Sequence, residues 1–190
     1  MKDSKELKIM TVDDAVAQIE DDMVLGIGTG STIELLIPNL AERIHKEQLN
    51  ITGVCTSNKS AFIAKKLDIN VVDINDVGHV DLAIDGADEV DVNINLIKGG
   101  GGALFREKVI DEMAHRFVVL VDESKLGNYL GESFKLPVEV DKFNWFHIAK
   151  KIEAYDDIIT ERRMSDDVPF ITDNGNYILD CQLNKQIDPY

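Results

Sequence analysis

Three short segments hold most of the residues whose types and spacing suit chemistry. GIGTGST at residues 26–32 follows an apolar run and opens a helical pattern, so its N–H groups converge where a phosphate would sit. Thr29, Ser31 and Thr32 add hydroxyl donors suited to a terminal phosphate held by neutral groups. The dinucleotide fingerprint would need glycine where Ser31 stands, and no G-K-[ST] of a P-loop is present. The segment reads as a phosphate-binding turn or as a tight strand–helix connection that serves packing alone.

The second segment, IDGADEVD at 84–91, places Asp85, Asp88, Glu89 and Asp91 just past a predicted strand. Ligands bind at the carboxyl ends of strands in open α/β sheets. Such a loop holds a metal, grips sugar hydroxyls and positions protons, or is a solvated acidic turn. His79 is the one histidine near it and no EF-hand pattern develops, which weighs against metal.

In the third segment, KGGGGALFREK at 98–108, successive glycines let a backbone approach a ligand, and Lys98 supplies a compact positive charge. Glu107, between Arg106 and Lys108, is a general base or a helix-surface ion-pair residue. Taken together, the segments suit proton abstraction next to a carbonyl. A carboxylate shuttles the proton, while a lysine and backbone N–H groups stabilise the enediolate oxygen. Burial and neighbouring acids raise a carboxylate base toward neutrality; Arg106 and Lys108 oppose that wherever they pair with it. This chemistry needs neither metal nor redox cofactor and points to a sugar-phosphate enzyme.

These segments need a scaffold, and the hydrophobic pattern supplies one. A helix is predicted over 3–20, a strand over 23–27, and a helix from Ser31, with Ser31 or Thr32 as its cap. Strands follow at 51–55, 71–72, 80–84 and 117–121, with helices starting at TSNKS and over 103–115; residues 85–102 read as a loop. The alternation predicts a doubly wound, mainly parallel α/β domain over 1–130. The rhythm then changes. LPVEV, a helix over 145–155, DIITERR, PFITD and YILDC predict a small α+β domain over 131–190, with a turn at Asn174–Gly175.

Composition narrows the function classes. The 190 residues carry 35 acids against 20 bases, a net charge of −15, which argues against a nucleic-acid partner. MKDSKELKIM lacks the apolar region of a secretory signal, and the longest dense apolar run, 117–121, is too short to cross a bilayer. Cys55 and Cys181 are far apart, which predicts two reduced, buried or half-buried thiols. The four histidines are scattered and read as surface or structural residues; Trp145 and Phe146 read as core or dimer contacts. The expectation is a soluble, cytoplasmic, globular protein.

GIGTGST, DLAIDGADEVD, IKGGGGALFREK, LVDESK, LPVEV and ITDNGNYILD, in this order over residues 26–180, resemble the type A ribose-5-phosphate isomerases. The resemblance implies reversible conversion of ribose 5-phosphate to ribulose 5-phosphate in the pentose phosphate pathway, without a cofactor, by a homodimer or dimer of dimers. It implies Glu107 as the general base between C1 and C2. Asp85 and Asp88, with Gly86 and Ala87 between them, would bind the sugar and assist ring opening and hydroxyl proton transfer. Lys98 and Gly99, Gly100 and Gly101 would lie near the reacting oxygens. Thr29, Gly30, Ser31 and Thr32 would take the phosphate end, and Lys125 would touch substrate.

Chains of this family continue past the point where this sequence stops. The small domain resembles a ferredoxin-like unit of which β-α-β-β is present, and the last helix, last strand and return segment are not. A natural short form, a truncation or a sequence limited to the ordered part would each account for this, and without that helix apolar surface and an unpaired strand edge would be exposed. Two other functions fit this kind of fold. A sugar-phosphate sensor would keep the phosphate turn without needing Glu107, and an amino-sugar phosphate deaminase would call for a histidine near the sugar ring.

Overall fold

The predicted alternation of short apolar strands and helices is realised in the computed structural model, which describes residues 11–155 and 158–184. In chain order the elements are β1 Val24–Ile27, α1 Ser31–Glu47, β2 Thr52–Cys55, α2 Asn58–Lys66, β3 Asn70–Val71, β4 Val80–Gly86, β5 Glu89–Val90, β6 Leu96–Ile97, α3 Leu104–Met113, β7 Ala114–Leu120, β8 Leu136–Val140, α4 Trp145–Glu153, β9 Ile159–Arg162, β10 Met164–Ser165, β11 Val168–Pro169 and β12 Tyr177–Gln182. Residues 11–16 are also helical; the rest of the helix predicted over 3–20 that precedes Thr11 lies outside the described residues, as does the C-terminal IDPY.

The chain divides into two compact units, residues 1–86 with 105–122 and residues 87–104 with 123–190. The first is built on a five-stranded parallel sheet of order β3-β2-β1-β4-β7. The side-chain period of two puts Leu25, Ile27, Leu82 and Ile84 on one face. There they are buried with Leu36, Ile37 and Leu40 of α1 and with Val12, Val16 and Ile19. Ala83 faces the other side and is buried with Val54, Val80 and Ile110 of α3. Gly26 makes that second packing possible, since a Cβ there would stand 2.7 Å from the Ile110 Cγ2. Helices thus cover both faces, as a doubly wound sheet requires.

The second unit holds an antiparallel sheet of order β8-β12-β9, with α4 packed on it through Ala149, Leu179, Cys181 and Val140. Two short hairpins join it, β5–β6 and β10–β11. Among the described residues, no helix is long and apolar enough to cross a membrane.

The structure departs from the sequence pattern in several places, among them the end of the helix predicted over 103–115, where β7 begins at Ala114. The segment read as a loop over 85–102 contains the β5–β6 hairpin, because Asp91 accepts hydrogen bonds from the Asn93 and Asn95 N–H groups and from the Asn95 side chain, closing a tight turn. PFITD is not a strand: β11 ends at Pro169, and Thr172 Oγ1 instead accepts the Asn174 and Asn176 N–H groups in the turn before β12. No side chain caps α1, whose N-cap is Gly30 at φ 113°.

Both cysteines are thiols, Cys55 half-buried and Cys181 buried. Burial pushes Cys55 up to about 12, the Lys65 charge opposing it, and burial with the Asp180 and Glu153 charges pushes Cys181 up to about 11. Neither forms thiolate near neutrality, so both are slow nucleophiles. Labelling with an aromatic disulfide reagent at pH 8 is expected to run at least ~100-fold slower in the folded protein than in denaturant. Rapid labelling of either thiol in the native state would contradict these positions.

Candidate active site

In the first unit the sheet order reverses between β1 and β4, the switch point at which open α/β sheets bind ligands. The glycine turn leaves β1 there and the DGAD segment leaves β4. The Asp85 carboxylate, 1% exposed, ties the two together. Its Oδ1 accepts the Thr29 N–H at 3.0 Å and the Gly86 N–H at 2.7 Å. Gly28 must be glycine for this, because a Cβ at that position would lie 2.1 Å from the same oxygen. The Gly28 N–H donates to the Ile84 carbonyl, extending the β1–β4 pairing by one step.

The turn is also supported from β2. The Thr29 and Thr56 hydroxyls lie 2.6 Å apart, with Thr56 fully buried. Ser60 Oγ donates to the Gly28 carbonyl at 2.6 Å, and Ser57 caps α2 by accepting the Ser60 N–H. Ser57 thus confirms TSNKS as a helix start. Thr32 is half-buried and Ser31 exposed on the first turn of α1, where the N–H groups and the helix dipole favour an anion.

Glu107 sits in the first turn of α3 and is 3% exposed. Its burial rules out the exposed ion-pair role that its flanks suggested. Lys108 pairs instead with Glu112 at 3.6 Å, and Arg106 donates to Asn58 at 3.1 Å.

In the second unit Asp88 Oδ2 accepts the Gly100 N–H at 2.7 Å, and Asp88 N–H donates to the Ile97 carbonyl. A Cβ on Gly100 would stand 2.3 Å from Asp88 Oδ1, and one on Gly99, at φ 96°, would stand 2.5 Å from Leu104 Cβ. Both glycines are therefore required by close approach, and Gly101 beyond them is exposed. Lys98 is half-buried, as are Gly86 and Ala87. Lys125 lies in a 3-10 turn, Glu123–Lys125, and is half-buried.

Glu89, fully buried, anchors the chain beyond that turn. Its carboxylate accepts the Gly131 N–H at 2.5 Å and the Ser133 N–H and hydroxyl at 2.7 and 2.8 Å. At Asp91 burial acts to raise the carboxyl, but the hydrogen bonds from Asn95 and Asn93 outweigh it and hold the group below the usual range. Protonation at low pH removes those bonds, so their support for the hairpin is present above the usual carboxylate range and lost as pH falls through the lowered value.

Sequence reasoning missed Thr56 and Ser60 as supports of the turn. Their signal is the neighbouring position of β2 beside β1, which the strand order reveals and the linear pattern does not. Among the described residues no group of three or more His, Cys, Asp and Glu is placed to hold a metal ion. In the acidic loop Asp85, Asp88, Glu89 and Asp91 each accept backbone N–H groups.

Gly28→Ala is expected to displace the Asp85 carboxylate and break its bonds to Thr29 and Gly86, lowering stability by about 1–3 kcal/mol. Urea denaturation measures this, and an unchanged midpoint would show that the close approach of Gly28 to Asp85 is not a constraint.

Residues 52–190 match the family of ribose 5-phosphate isomerase A (phosphoriboisomerase A). The chain is 97% identical over 190 residues to ribose-5-phosphate isomerase A of Staphylococcus haemolyticus (strain JCSC1435), which covers 100% of this chain and 83% of that relative. A solved D-ribose-5-phosphate isomerase in complex with phospho-erythronic acid superposes with a TM-score of 0.94 at 41% identity, over 99% of this chain and 83% of that one. The enzyme of Methanocaldococcus jannaschii gives 0.90 at 40% identity, over 96% and 81%. With the fold, the order of the motifs and near-identity along its whole length in agreement, this chain belongs to the ribose-5-phosphate isomerase A family.

Proposed function

We propose that the chain interconverts ribose 5-phosphate and ribulose 5-phosphate through an enediolate, with Glu107 as the base. It is an aldose–ketose isomerase of the pentose phosphate pathway. Glu107 takes the proton from C2 of the open-chain aldose, electrons move onto the C1 oxygen, and the same carboxyl returns the proton to C1. The hydroxyl proton of C2 passes to the C1 oxygen as the new carbonyl forms. Asp85 and Asp88 bind the sugar and assist ring opening and that hydroxyl transfer, with Gly86 and Ala87 against the substrate.

Lys98 and the backbone of Gly99, Gly100 and Gly101 stabilise the charge that develops on the enediolate oxygen. Thr29, Gly30, Ser31 and Thr32 hold the phosphate at the first turn of α1, and Lys125 contacts the substrate. The cytoplasm is the compartment of this chemistry. The reading needs no nucleic acid, membrane, metal or organic cofactor.

The observation that carries this reading is Glu107, a carboxylate buried in the first turn of α3 within the family's REK motif. A sugar-phosphate sensor would require the phosphate turn alone and no buried carboxylate at that place. Glu107→Gln keeps the shape and removes the base, so kcat should fall by about 10²–10⁴-fold with KM for ribose 5-phosphate largely kept. The assay is run with EDTA present. Near-normal turnover in the variant would exclude Glu107 as base, and wild-type activity abolished by EDTA would exclude the metal-free route.

The same resemblance supports assembly as a homodimer or dimer of dimers. Light scattering on the eluting peak of a sizing column should give two or four times the chain mass, and a monomer at micromolar concentration would count against it.

A further inference from the structure

We propose that Arg163 is a positioning residue for this reaction: its guanidinium fixes the peptide planes of Gly99–Gly101, which aims the Gly101 N–H at the oxygen that becomes negative. The proposal rests on the reading above, in which this glycine run lies against the reacting oxygens.

Arg163 follows β9 directly, and its backbone is held on both sides. Its N–H donates to the Ile178 carbonyl at 2.8 Å and its own carbonyl accepts the Phe170 N–H at 3.0 Å. The side chain is 15% exposed and forks onto Asp180, with Nε at 3.0 Å from Oδ2 and Nη2 at 2.5 Å from Oδ1. That pairing locks the guanidinium plane. Nη1 is then turned to the glycine run, where it donates to the Gly100 carbonyl at 2.9 Å and the Gly99 carbonyl at 3.3 Å.

A trans peptide carries its C=O and the following N–H in opposite directions, and no cis bond is present. With the Gly99 carbonyl turned to Arg163, the Gly100 N–H points the other way, and it is found there donating to Asp88 Oδ2 at 2.7 Å. The Gly100 carbonyl is likewise turned to Arg163, so the Gly101 N–H also points away from the guanidinium. Asp88 and the Gly102 N–H also hold the Gly99–Gly100 plane, so the guanidinium acts chiefly on the Gly100–Gly101 plane, which glycine's conformational freedom would otherwise let flip. The Gly102 N–H closes the turn onto the Gly99 carbonyl at 3.0 Å, and the Phe170 ring sits where a Cβ on Gly102 would be, 2.5 Å from its Cζ. Donors aimed before the reaction stabilise developing charge without reorganisation, and a flipped plane would present a carbonyl to the same oxygen.

The test uses the full chain with Arg163→Ala, Arg163→Lys and Glu107→Gln side by side. Both Arg163 variants are expected to lose kcat by about 10- to 100-fold while KM for ribose 5-phosphate moves by less than about 3-fold. Affinity for phospho-erythronic acid, whose carboxylate presents a negative oxygen, should fall in step with kcat/KM. Millimolar guanidinium should restore part of the kcat of Arg163→Ala, and methylammonium should not.

A folded Arg163→Ala with kcat within about 3-fold of wild type would overturn the proposal. So would a loss of kcat that tracks the loss of folded protein and resists rescue. If Arg163→Ala does not fold, Arg163→Lys decides, because it keeps the charge and removes the fork; wild-type kcat in that variant overturns the proposal. Full activity in Glu107→Gln overturns the underlying reading and the proposal with it. An inactive Glu107→Gln beside normal Arg163 variants defeats the role of Arg163 alone.

Discussion

The first unit depends on one carboxylate at the point where its sheet changes direction. The Asp85 carboxyl is buried, and two backbone N–H groups, one from each strand exit, are aimed at it. That requirement dictates its neighbours. Residue 28 must lack a Cβ, β1 and β4 must be paired in the register Ile27 to Ile84, and the Gly28 N–H must continue that pairing. The turn that carries Thr29 to Thr32 is consequently set by the sheet, with Thr56, just past β2, and Ser60 of α2 bracing it.

The same physical device recurs in the second unit. Asp88 takes the Gly100 N–H, Glu89 takes those of Gly131 and Ser133, and Asp91 closes the β5–β6 turn. Farther along, Glu139 gathers the Thr172 hydroxyl and the Asn176 side chain in the turn before β12. A chain with a net charge of −15 thus spends several of its acids as internal acceptors that order irregular backbone. The acid surplus is therefore in part structural. One positive group, Arg163, is set directly on the glycine run.

Glycine serves separate ends in the three segments. Gly26 yields space to Ile110 and belongs to the packing of α3, whereas Gly28 and Gly100 yield space to carboxylates. In the 26–32 turn the packing interpretation holds at two residues, Gly26 making room for Ile110 and Gly28 for the Asp85 carboxylate. A pattern of glycines in one sequence cannot separate them, because what each missing Cβ avoids comes from another strand or helix.

The residues of this chain by themselves determined the doubly wound sheet, the α+β character of the later segment and the family, since periodicity of apolar residues and the motif order are local properties of the string. They also marked Glu107, Asp85, Asp88 and Lys98 as residues able to do chemistry. Tertiary structure alone decided that Glu107 is buried and not a surface ion-pair partner, that residues 85–102 contain a hairpin, and that PFITD turns where its composition suggested a strand. It alone brought Arg163, held by Asp180, to the glycine run. These features rest on hydrogen bonds and close contacts between residues tens of positions apart, and their energies have no counterpart in the spacing of neighbours along the chain.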